Sequence, residues 1–250
     1  LAMWNIIESS NYDDLYWHPK DAPRYFHFEP DSDKLSIFRE EISPIIRGIV
    51  NEMDKAIEIA RYLEGIKLTR KTDNTYFRWG SPQELLKQAK EGRIGLNCFH
   101  YTIIFSTYLS SIGIKHRLWT LEGNDGLGRV SHTTGELFID NPQKWVLIDV
   151  THGAYFTKDD YPLSVLELRA ELLKGNAGAI LVHNIFEHKK TGKHFLNYYT
   201  QLLKCIFLRA SNDFVNKYDA RIRYGMFSKF QRQLDKLPSD IIRGLDYLLG

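Results

Sequence analysis

Cysteine is nearly missing from this chain. Cys98 and Cys205 are the only two in 250 residues. They lie too far apart for a thiolate metal spacing, and two cysteines cannot make a disulfide framework. A disulfide between them would consume a residue whose neighbourhood suits it to chemistry. Charge of one sign is also lacking. The net charge of +2 points to no particular partner. No apolar run is long enough to span a membrane. Internal repeats, low-complexity stretches and an acidic calcium loop are missing as well. The first residues, Leu-Ala-Met-Trp, carry neither a basic leader nor a signal-type apolar stretch, so the expected location is cytoplasmic.

What remains is the composition of an ordinary soluble globular chain, 43% hydrophobic and 26% charged. That length and content fit one large domain, or one domain with an added part. Charge is uneven along it. Residues 1–60 are acidic, and residues 174–250 are basic. The basic residues of the second stretch (Lys189, Lys190, Lys193, Arg221, Arg223, Lys229 and Arg232) are dispersed along amphipathic segments. No nucleic-acid signature accompanies them, which argues against that partner. The oligomeric state is not legible.

Three parts are expected. Residues 1–35 are an aromatic, proline-broken arm that packs Tyr12, Tyr16, Trp17, Tyr25, Phe26 and Phe28 onto the body, with His18 and His27 structural or exposed. Residues 36–175 are the core, and 176–250 a mostly helical extension packed on it. Within the core, Ile45, Ile49, Met53, Ile57 and Ala60 recur at helical intervals over 36–66, with a break at Pro44. Ser81-Pro-Gln-Glu84 opens a helix that ends at Gly92, with Ser at the cap and Glu84 able to reach back. A nearly all-apolar helix begins at Asn97 or Cys98 and stops at Gly113. Strands are expected over 114–122, 129–139 and 144–150. Beyond Gly153 the chain should turn helical, with helices at 163–174, 194–208, 212–224, 226–237 and 239–249 and a strand at 177–186. Cys205 then sits inertly in the apolar helix Leu202–Leu208.

The stretch Gly92-Arg-Ile-Gly-Leu-Asn-Cys98 places a thiol at the first turn of the buried helix. Unpaired N–H groups and partial positive charge there favour the thiolate, which is the nucleophilic form. A nucleophile needs a base, and the base an orienting group. His132 and Asp149 lie downstream on two predicted strands. Asp149 is set in the apolar Trp145-Val-Leu-Ile-Asp149-Val, where a carboxylate must be paired. If Asp140-Asn-Pro-Gln143 is a four-residue loop, Ile139 pairs with Lys144. His132 then stands opposite Thr151 and Asp149 opposite Thr134. The imidazole and carboxylate become diagonal neighbours on one face, about 5–8 Å apart at Cβ. A slip of one residue would put them on opposite faces. His100, two residues after Cys98, should point away from the thiol. His152, His183 and His188 could form a metal site only if the fold gathers them, and no metal or cofactor is expected.

Residues 92–152 resemble the transglutaminase-like, papain-related superfamily. The pieces that carry the likeness are Cys98 opening a buried helix, Ile112-Gly113-Ile114 ending it, His132 on one strand, and Trp145-Val-Leu-Ile-Asp149-Val-Thr151 on the next. The upstream helix containing Lys55-Ala-Ile-Glu-Ile-Ala-Arg61 is similar to the one that precedes this core. The resemblance implies an α+β fold, with a buried helix packed on an antiparallel sheet and extra helices added at the C-terminus. It also implies a Cys98–His132–Asp149 triad acting on an amide or peptide bond through a thioester, by hydrolysis or by transfer to an amine. The substrate class would be a peptide, a protein or another amide. The Cys98 backbone N–H would meet the oxyanion, helped by an upstream donor, Trp79 or Asn97. The rival reading is a silent binding or scaffold protein of the same fold.

Overall fold

A computed structural model describes residues 5–6, 17–22, 28, 32–66, 81–124, 129–187, 193–203 and 205–208. Its elements run in the order β1 (Asn5–Ile6), α1 (Ser36–Ile42), α2 (Glu52–Gly65), α3 (Pro82–Lys90), α4 (Cys98–Ser111), β2 (His116–Asn124), β3 (Arg129–Ile139), β4 (Lys144–Asp149), β5 (Ala154–Lys158), β6 (Tyr161–Pro162), α5 (Val165–Leu173), β7 (Leu181–Asn184), α6 (Lys193–Leu202) and β8 (Cys205–Leu208). The class is α+β. All strand pairs among the described residues are antiparallel, in the order β1-β8-β2-β3-β4-β5-β6, with β7 also on β5.

The helices start where local chemistry satisfies their first N–H groups. Asn51 accepts from the N–H groups of Met53 and Asp54, and Ser81 from that of Glu84. The Glu84 carboxylate does not close a reciprocal cap; it accepts from Gln88 one turn on. The stop of α4 is a Schellman motif. Gly113 takes φ 79°, its N–H bonds to Ser110, and the Ile114 N–H bonds to Leu109. Both Ile114 and Leu109 are buried, which closes the hydrophobic contact that accompanies this cap.

The sheet separates two apolar layers. On one side α1 to α4 bury Phe38, Ile42, Ile59, Leu63, Leu85 and Tyr108 against Leu137, Ile139, Val146 and Ile148 of β3 and β4. On the other, α5 and α6 cover Trp119, Leu121, Phe138, Trp145, Leu147 and Phe156. Helix α4 is buried almost all round, as its sequence requires. Each large apolar side chain so enclosed contributes about 1.5–3 kcal/mol.

The second layer also holds a buried ion pair. Arg117 donates to Glu136, and both are fully enclosed. Glu136 further accepts from Trp119 Nε1 at 2.6 Å and from the backbone N–H of Val165, tying α5 to the sheet. The guanidinium lies 4.3–5.2 Å from the ring centroids of Trp17, Trp119 and Trp145. Trp17 is the part of the N-terminal arm that docks here. Its carbonyl accepts from Trp145 Nε1 at 2.7 Å, and its ring meets Trp145 edge-on at 5.1 Å. His18 is structural, as expected, with Nδ1 accepting from the Lys20 N–H.

Four expectations need correction. The helix expected over 36–66 is two, α1 and α2, and Ile45 and Ile49 lie in the non-helical stretch between them. The chain past Gly153 does not turn directly helical; it forms β5 and β6 first. The expected strand at 177–186 is shorter, with a 3-10 turn at Asn176–Ala179 before β7. Cys205 is not in a helix, because α6 ends at Leu202 and Cys205 begins β8. The reason is tertiary: β8 pairs with β2 on one side and β1 on the other, which overrides the helical pattern. Among the described residues after 176, β7 and β8 therefore join the sheet. The helices expected at 212–224, 226–237 and 239–249 lie outside the described residues. No helix among the described residues is long and apolar enough to cross a membrane.

Candidate active site

Cys98 is the first residue of α4. Asn97 caps the helix, its Oδ1 accepting from the His100 N–H at 3.0 Å while His100 Nδ1 accepts from the Asn97 N–H at 3.4 Å. His100 is thus part of the cap. Its burial pushes its pKa down to about 4, so it stays neutral there.

The ladder between β3 and β4 has the expected register, with Ile139 opposite Lys144, and runs as far as Gly135 opposite Ile148. There the strands part. The expected facing of His132 with Thr151 and of Asp149 with Thr134 does not form as ladder pairs. Thr134 donates instead through its hydroxyl to the Ile148 carbonyl at 3.2 Å. The freed edge of β3 is taken over by the first turns of α4. The Thr133 N–H donates to the Cys98 sulfur. The Thr102 hydroxyl lies 3.0 Å from the Thr133 carbonyl and 2.8 Å from that of Cys98, so it can donate to either. This graft lets a sulfur from the helical layer reach a ring on the opposite side of the sheet.

That ring is His132, paired with Leu121 on β2 and buried. Its Nε2 lies 2.8 Å from Asp149 Oδ2. Its other nitrogen, Nδ1, is left for the hydrogen bond with Cys98. Sulfur, imidazole and carboxylate therefore form one hydrogen-bonded chain. Cys98 is half-buried, while the two residues behind it are enclosed.

Asp149 is saturated. Oδ1 accepts from the N–H groups of Thr151 and His152, both at 3.0 Å. Oδ2 accepts from His132, from His152 Nδ1 at 2.8 Å and from the Tyr199 hydroxyl at 2.6 Å. Burial would raise the acid's pKa, but the two imidazoles hold it well below the usual carboxylate range. His132 responds in kind. Burial pulls its pKa down, yet the charge and hydrogen bond of Asp149, aided by Cys98, push it up to about 10. For Cys98, burial raises the thiol pKa and the His132 hydrogen bond and charge lower it, helped by the Thr133 N–H. The net direction is downward. The pair is thus set toward thiolate and imidazolium.

Two neighbours were not foreseen. His152 sits 4.8 Å from His132, ring centre to ring centre, and packs against Phe195 and Tyr198. Its signal was in the sequence: Asp149-Val-Thr-His152 is the spacing of an Asp-led turn in which residue i+3 folds back on the carboxylate. Tyr199 comes from α6, fifty positions away, and nothing local announces it. His132, Asp149 and His152 also form the one group among the described residues whose ligand atoms, all within 4.8 Å of one another, could hold a metal ion. Of the expected oxyanion donors, Asn97 lies beside Cys98 as the helix cap, its Oδ1 turned to the helix and its amide NH₂ not used by the cap. Trp79 lies outside the described residues, as does His188. His183 is remote in function, bonded to Thr157 at 2.8 Å and stacked on Tyr155.

The chain matches no protein-family model and no curated protein.

Proposed function

We propose that this protein is a cysteine-dependent acyl-transfer enzyme of transglutaminase-like, papain-related type, acting on an amide or peptide bond. The observation that carries the reading is the continuous chain from the half-buried Cys98 sulfur through His132 to Asp149, at the head of a buried helix. Buried structural cysteines are not provided with a charged ring and a backbone donor at once.

The roles follow from the chemistry. Thiolate Cys98 attacks the carbonyl carbon, forming a C–S bond and an oxyanion. The Cys98 backbone N–H, at a first helical position that has no intrahelical acceptor, and the Asn97 side-chain NH₂ would serve as donors for that oxygen. His132, protonated at Nδ1, gives that proton to the departing nitrogen as the C–N bond breaks, leaving a thioester. Water or an acceptor amine then attacks, its proton passing to Nδ1, and the C–S bond breaks to release the thiolate. Asp149 fixes the ring and stabilises its cationic form. A resting imidazolium supports an amide in preference to an easier leaving group, since an amine must be protonated to leave. No cofactor enters the scheme. Whether water or an amine resolves the thioester depends on how the cleft excludes water.

Iodoacetamide labelling at pH 6 tests this. Cys98 should react faster than a free cysteine, and Cys98→Ala should take up no label at that position. A Cys98 no more reactive than free cysteine would instead indicate a binding or scaffold protein on the same fold.

A further inference from the structure

Three donors converge on one carboxylate oxygen. His132 Nε2, His152 Nδ1 and the Tyr199 hydroxyl all lie 2.6–2.8 Å from Asp149 Oδ2. Orientation of His132 needs one of these contacts. The other two come from different parts of the chain, the turn after β4 and helix α6.

We propose that Tyr199 and His152 are positioning residues that set the pH range of the Cys98–His132 ion pair, by sharing the Asp149 oxygen that His132 uses. This rests on the triad reading given above. The physical reason is charge damping. A carboxylate that accepts several hydrogen bonds presents less of its negative charge to any one of them. Every donor added to Oδ2 therefore weakens the hold of Asp149 on the His132 proton. It also weakens the opposition of Asp149 to a thiolate on Cys98. The ionisable groups facing this centre are Cys98 from α4, His132 from β3, His152 from the turn, and Tyr198 and Tyr199 from α6. The burial of Tyr199 and the neighbouring Asp149 charge keep its phenol protonated, so it remains a donor throughout. His152 is partly exposed, at 29% of its side chain, as Cys98 and Tyr198 are in part.

The test is the pH profile of Cys98 alkylation by iodoacetamide in the full chain, compared with Tyr199→Phe and His152→Phe. Both substitutions keep an aromatic ring and remove only the donor. The wild type should show an acid limb where the thiolate forms and an alkaline limb where the imidazolium is lost. Each variant should move both limbs upward by about half a pH unit to one unit. A merely structural tyrosine or histidine would alter melting temperature without moving the limbs. Limbs that stay in place, or that move downward, overturn the proposal while leaving the triad intact. A wild-type profile of an ordinary thiol, with a single limb near its usual pKa, refutes the triad reading and this proposal with it. Because the variants act on different elements, one that fails to fold leaves the other to decide.

Discussion

The Nε2 atom of His132 stands 2.8 Å from Oδ2 of Asp149, although the strands carrying them have already separated. The side chains thus continue a pairing that the backbone has given up. Replacing Asp149 with Asn keeps the shape but removes the charge that holds the ring protonated. Alkylation of Cys98 at pH 6 should fall by at least about tenfold in Asp149→Asn, read from the rate of iodoacetamide uptake. An unchanged rate would mean that Asp149 does not support the pair.

The same pair makes a prediction about stability and pH. An ordinary imidazole titrates at 6.5 and an ordinary thiol at 9.0. In the folded protein the ring's pKa is raised and the thiol's lowered. Between those two ordinary values the folded imidazole keeps a proton that the unfolded one loses, and the folded thiol gives up a proton that the unfolded one keeps. The two effects oppose each other, so the pair's contribution varies less with pH across that window than either group's alone. In Cys98→Ala only the raised imidazole remains. Its stabilisation is complete below pH 6.5 and is lost as pH rises toward the folded value. Melting temperature measured from pH 6.5 to 9 should therefore fall more steeply in the variant than in the wild type.

Glu136 is a carboxylate that accepts from the buried Arg117. Glu136→Ala removes that charge partner from a cation enclosed among tryptophans and unties α5 from the sheet. Urea unfolding should show a loss of about 3–5 kcal/mol. A loss under about 1 kcal/mol would mean the guanidinium finds water or another acceptor.

Gly123 in β2 has no room for a side chain. A Cβ there would lie 1.9 Å from the Gln201 carbonyl oxygen at the end of α6. Backbone cannot yield as a side-chain tip does, so Gly123→Ala should push α6 outward and cost about 1–3 kcal/mol. Since Tyr199 rides on that helix, the pH limbs of Cys98 alkylation should also shift upward, as in Tyr199→Phe. A stable variant with unmoved limbs would show that the contact is only structural.

Much of the frame was readable because its signals are local. The cap at Ser81, the start at Asn97, the stop at Gly113 and the 140–143 loop each depend on a few adjacent residues, and each formed where expected. The loop in turn fixed the register that brings His132 and Asp149 to one face. What escaped was set by distant pairing. Cys205 looked helical because its neighbours are apolar, but β2 offered it an open edge. Tyr199 looked like one more aromatic on an amphipathic helix, and its bond to Asp149 exists only once α6 has docked. His152 was legible in principle, through its position three after Asp149, but it was weighed with His183 and His188 as a metal group and not as part of a turn.

The order of strands has a further implication for the growing chain. By Phe186 a nascent polypeptide already contains the sulfur, the ring and the carboxylate. The outer edge of β2 is still bare then, for β8 has not been made, and Tyr199 has not yet arrived over Asp149. The Cys98–His132–Asp149 cluster is thus in its finished surroundings only after residue 208 has joined the sheet. The last described strand works as a latch on a sulfur encoded more than a hundred residues earlier.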